Sequence, residues 1–115
     1  MIVICSINDR QYHVGTVYAT TMQPIGSLPL IECLRPTQAL VYGVKYQRQT
    51  DEWYTSGYRR LLATRWPAVS AWLASLSPDT HLTLTCFCRR GVFCHRSLIA
   101  RMLAKHRPDI DLTVL

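Results

Sequence analysis

The stretch from His81 to Lys105 constrains the fold more than any other. Its first piece, HLTLTCFC, alternates: Leu82, Leu84, Cys86 and Cys88 fall on one face, His81, Thr83, Thr85 and Phe87 on the other. Period two over such a run predicts a strand. Its last piece, CHRSLIARMLAK, spaces Leu98, Ile99, Met102 and Leu103 as one apolar stripe of a helix. A short RRGVF loop with a single glycine, Gly91, joins the two. Strand, tight loop and helix together place whatever follows the strand at its carboxyl end, beside a helix amino terminus, where α/β proteins bind ligands.

The rest of the chain fits the same class. Ile2–Ile7 is an apolar, β-branched run short enough for a buried strand. Gly15–Thr21 is a second strand, rich in β-branched residues and tyrosine. Pro36 is placed to open a short helix through Tyr46, and Thr50, followed by Asp51 and Glu52, to cap the start of another. Gly57 weakens that helix by roughly 1 kcal/mol relative to alanine. Pro67 cannot continue it, so it ends near Trp66 and a new stripe (Ala68, Val69, Trp72, Leu73, Leu76) begins. Ile110–Leu115 is a short final strand. The order β, β, α, α, α, β, α, β predicts a small layered α/β fold, a sheet flanked by helices. With 115 residues, no repeats and no linker, residues 1–115 are expected to form a single domain.

Composition narrows the setting. No apolar run approaches the ~20 residues of a membrane span, and MIVICSI is too short for a signal peptide, so a cytoplasmic protein without a membrane partner is expected. In that compartment five cysteines read as thiols or metal ligands rather than a disulfide framework. The net charge of +6 favours phosphate-bearing partners, including weak, salt-sensitive binding of nucleic acid. Arginine supplies most of that charge, and a GC-rich genome would supply arginine too.

Three of the cysteines, with His95 and three arginines, fall between Cys86 and Arg96, and this cluster has three readings. Cys86, Cys88, Cys94 and His95 could bind zinc, but two ligands one residue apart and two adjacent ones fit tetrahedral spacing poorly; no metal or other cofactor is expected. Cys94, at a helix amino terminus among Arg89, Arg90, His95 and Arg96, could be a thiolate nucleophile of lowered pKa, with His95 as general acid or base. A tyrosine-phosphatase loop is disfavoured, because the positions where its arginine would fall, counted from Cys86 and Cys88, hold Val92 and Cys94. Third, the helix N–H groups with Arg96, Ser97 and Arg90 could bind phosphate or carboxylate. Against all three, Cys86 alternates with leucines as a core residue does, as Cys5 and Cys33 also read. Trp53, Tyr54, Tyr58, Trp66 and Trp72 could stack on bases, although aromatics at helical spacing more often form core.

The stretch LTLTCFCRRGVFCHRSLIARML resembles the signature of the domain of unknown function 488 family: an apolar strand ending in cysteine, a short loop, then Cys-His-Arg opening a helix. Leu34-Arg35-Pro36-Thr37, Lys45-Tyr46 and the segment Trp53–Leu62 are similar to that family's proline-led segment and tyrosine-rich helix. The opening strand and GTVYATT have counterparts too, and Phe87-Cys88 departs from many members. The resemblance implies a small cytosolic bacterial, archaeal or phage α/β domain whose activity is unassigned, with Cys86, Cys94, His95, Arg96 and Tyr58 at motif positions. Two functions stay open. One is binding or acting on a phosphorylated small molecule or nucleotide through Cys94, His95 and Arg96, with Ser97, Arg90 and Tyr58 assisting. The other is a non-catalytic basic module that binds nucleic acid or a protein partner, with the cysteines structural.

Overall fold

In a computed structural model that describes residues 1–88 and 93–115, four short strands make one all-parallel sheet. They are β1 (Ile2–Ser6), β2 (Thr16–Ala19), β3 (Leu82–Cys86) and β4 (Leu112–Val114), in the spatial order β2-β3-β1-β4. Helices α1 (Gln38–Gln47), α2 (Asp51–Thr64) and α3 (Trp66–Ser75) precede β3, and α4 (His95–His106) follows it. Each element occurs in the expected order, and the domain is α/β.

Local chemistry explains where the helices begin. The Thr50 hydroxyl accepts from Trp53 N–H at 3.0 Å, and Asp51 and Glu52 sit in the first turn of α2. Pro67 occupies the first turn of α3, the one place a helix tolerates it. Pro36 lies outside α1 rather than opening it: Thr37 is the cap, its hydroxyl accepting from Leu40 N–H at 3.3 Å. The hydroxyl satisfies a free helix N–H, so the helix starts two residues later than proline alone suggests. Gly57 turns out to be where α1 and α2 touch, since a Cβ there would stand 2.4 Å from Leu40 Cδ2.

The central strands β1 and β3 are buried on both faces. Ile2, Ile4, Leu82 and Leu84 join the main core with Tyr58, Val69, Leu73 and Ile99 of the helices. On the other side Thr83 and Thr85 are also buried, and their hydroxyls donate to Val14 O at 2.8 Å and Tyr18 O at 2.9 Å. This is why threonine alternates with leucine in a strand that no water reaches: each hydroxyl finds a backbone acceptor. Tyr58 is fully buried, and its hydroxyl donates to Leu34 O at 2.6 Å. Tyr58→Phe leaves that carbonyl without its partner and should lower unfolding free energy by about 1–2 kcal/mol in urea titrations. No measurable loss would mean that the carbonyl finds another donor.

Two arginines serve the fold through backbone carbonyls. Arg65 donates to Arg35 O at 2.6 Å, and Arg107 to Leu73 O at 2.7 Å and Leu76 O at 2.6 Å. Among the described residues no helix is long and apolar enough to cross a membrane.

The strand order determines where a ligand can bind. The chain leaves β1 towards β2, across β3, whereas it leaves β3 through α4 towards β4, across β1. Neighbouring parallel strands whose connections depart in opposite directions open a crevice at their carboxyl ends. Ser6 and Cys86 are those ends.

Candidate functional site

Three thiols converge at this edge. Cys86 is the last residue of β3, Cys88 follows the strand, and Cys94 precedes the first residue of α4 with an extended backbone. Their sulfurs all lie within 4.8 Å of one another, and Cys94 Sγ stands 3.5 Å from Cys86 Sγ. The strand pairs two residues short of its alternating pattern, yet Cys88 still reaches the group. Arg90, expected beside them, falls outside the described residues.

His95 is oriented by an acceptor the sequence did not point to. Its Nε2 lies 2.8 Å from Thr20 O and 3.1 Å from Thr20 Oγ1, and that hydroxyl donates in turn to Thr85 O at 3.0 Å. A carbonyl only accepts, so Nε2 carries the proton. The lone pair is therefore on Nδ1, which faces Cys94 Sγ at 3.3 Å. Burial pulls the imidazole down to about 4, despite the Thr20 carbonyl bond that opposes this, so the ring is neutral at pH 7. A neutral base, fixed by a third group and aimed at a thiol, is placed to take that thiol's proton.

The thiols divide their ionisation unequally. Hydrogen bonds from Cys86 and Cys94 hold the Cys88 thiol well below its ordinary pKa, outweighing the burial that opposes them, and the charge of Arg96 acts in the same direction as the bonds. Hydrogen bonds to Cys88 and Cys94, then burial, push Cys86 up. Cys94 is drawn down by its bond with Cys86, but its bond with Cys88 and its burial outweigh this and leave it near 11. The sequence placed the lowered pKa on Cys94. One charge shared among three sulfurs instead settles on Cys88, the one least buried.

A cleft of about 450 Å³ opens above the thiols. Tyr54, Phe87 and Phe93 line it together with Val41, Val44 and Lys45 of α1, and Tyr54 meets Phe93 edge-on at 5.8 Å. Arg96 is 5% exposed, and its charge favours the thiolate at Cys86 and Cys88. The Ser97 hydroxyl donates to Cys94 O at 3.1 Å, fastening the first turn of α4. Tyr58 does not line the cleft; its ring centroid lies 5.6 Å from that of His95 and backs the imidazole. Three sulfurs could meet a soft cation, but they are one ligand short of a closed tetrahedral zinc site, and His95 is not among the clustered ligands.

The sequence did not single out Thr20, Val41 or Val44, and it named Lys45 only within the family resemblance. None carried a signal in the sequence, because their approach to the site depends on the order of the strands and the packing of α1.

Fold and site together define a parallel α/β domain with a thiol-lined cleft at its carboxyl edge. The chain belongs to the domain of unknown function 488 family: the model described as "Active DUF488-N3 subclade" matches residues 29–107. Among curated proteins and among solved structures, none matches.

Proposed function

We propose that the cleft takes a phosphorylated small molecule with a flat apolar part, a nucleotide being the simplest, and that Cys94 and His95 act on it. The observation that carries this reading is the 3.3 Å approach of Cys94 Sγ to the lone pair of a neutral His95, at the base of an aromatic-walled cleft. Tyr54, Phe87 and Phe93 suit a base. Lys45 at the cleft, the amino terminus of α4 and the nearby Arg96 suit a phosphate. Cys94 is a thiol at neutral pH, and the unprotonated Nδ1 of His95 is placed to take its proton. Cys88, already a thiolate, stays beside it as the charged neighbour that Arg96 balances.

Adenosine monophosphate and inorganic phosphate are suitable probes. The nucleotide should raise the melting temperature and slow iodoacetamide labelling of Cys88, the thiolate that lines the cleft. Val44→Trp, a substitution on the partly open face of α1, fills the cleft and should abolish both effects while the free protein melts as before. If neither probe shifts the melting curve or protects Cys88 at millimolar concentration, this reading fails.

A further inference from the structure

A second groove runs between α2 and α4, with a volume of about 690 Å³. Leu62, Leu98 and Met102 are its buried residues, and Arg59, Arg101, Lys105 and His106 its exposed ones. Trp66 completes it, 38% exposed, with its ring centroid 5.0 Å from that of His106. No acidic residue lines it. Arg59, Arg101 and Lys105 form no ion pair among the described residues, whereas Arg35 and Arg107 are paired with acids. Asp51 and Glu52 line a separate depression that shares only Leu98 and Arg101 with this groove, so the positive stretch ends there.

We propose that this groove binds single-stranded nucleic acid, with phosphates along Arg59, Arg101 and Lys105 and a base stacked on Trp66. Unpaired cations beside an exposed indole are the two components of sequence-tolerant strand binding. The run of α4 from Leu98 to His106 covers about 12 Å. That length follows roughly three phosphates at the ~3.4 Å axial spacing of a stacked strand. An acidic peptide satisfies the same cations but has no group of its own that requires a flat, exposed ring. The proposal uses no residue of the thiol cleft, so it stands or falls independently of the function proposed above.

The test is fluorescence anisotropy with a labelled single-stranded oligonucleotide of about twelve mixed bases, across a series of salt concentrations. Three phosphate contacts at ~0.7 each predict a slope of about −2 for log K against log salt. Arg101→Ala with Lys105→Ala should bring that slope to about −0.7. Trp66→Ala should weaken binding at least about five-fold with the slope unchanged. Trp66 also begins α3, so its variant counts only if its melting curve matches the wild type; otherwise the charge variant alone decides. Lack of binding at the lowest salt, or an unchanged slope in the charge variant, overturns the proposal. So does polyglutamate competing as well as unlabelled oligonucleotide, which would assign the groove to acidic chains.

Discussion

Between pH 6.5 and pH 4 the protein should lose about 3 kcal/mol of stability through His95 alone. The unfolded imidazole takes up its proton near the ordinary value of 6.5, but the folded one is held down to about 4, chiefly by burial. In that window the unfolded chain binds one more proton than the native protein, so stability rises with pH. The full benefit of the neutral ring is present above pH 6.5; it drains away as pH falls and stops changing below about 4. Urea unfolding at a series of pH values measures this directly. His95→Gln keeps an N–H that can reach Thr20 O but has no titrating group, so its curve should be flatter across the window by about that amount. Parallel curves for the two proteins would mean that His95 is hydrated or charged in the fold. The proton assignment that aims Nδ1 at Cys94 would then fall with it. A mild acid step is therefore also a test of the candidate site, because the same neutral ring both stabilises the fold and presents Nδ1 to Cys94.

Gly15→Ala is expected to be at least as damaging, by about 3–4 kcal/mol, and to lower the melting temperature by roughly 10 °C or more. Gly15 has φ +56°, a left-handed conformation that costs an L-residue about 1 kcal/mol. The larger effect is steric. A Cβ there would stand 1.8 Å from His81 O and 2.5 Å from His81 C, and these are backbone atoms that cannot rotate away. The clash lies immediately before the pairing of Thr16 with Leu82, so relief must come from separating the starts of β2 and β3. Gly26 is the internal control. It has nearly the same φ, +53°, with nothing within 4 Å of its would-be Cβ, so Gly26→Ala should cost only about 1 kcal/mol. Equal losses at the two positions would show that the contact with His81 does not govern the packing.

What could be read without the structure was whatever depends on neighbours along the chain. A helix repeats every few residues and a strand every two, and a cap needs only a hydroxyl within reach of the next turn. Local spacing therefore located the strand–loop–helix unit, the start of α2 at Thr50 and the break before Pro67. It also brought out Cys94 and His95, because they are adjacent in sequence and open α4 together.

The same locality set the limits. Nothing near Gly57 says that Leu40 packs against it, so it read as a weak point in a helix when it is the contact between two. Alternation puts Thr85 on the face of β3 opposite the leucines without saying what covers it; it is buried and bonded to β2, because helices and loops cover both faces of a parallel sheet. Nothing beside Arg65 in the sequence says that it donates to the carbonyl of Arg35, 30 residues away. The site depended most on distant pairings. Thr20 is 75 residues from His95 in sequence, and only the order β2-β3-β1-β4 brings the two within hydrogen-bonding distance. That bond decides which nitrogen of His95 holds the proton. Packing of the three sulfurs then decides which thiol holds the charge. Sequence could nominate the groups that titrate here. Their protonation states follow from burial and from partners that approach through space, and those belong to the tertiary structure alone.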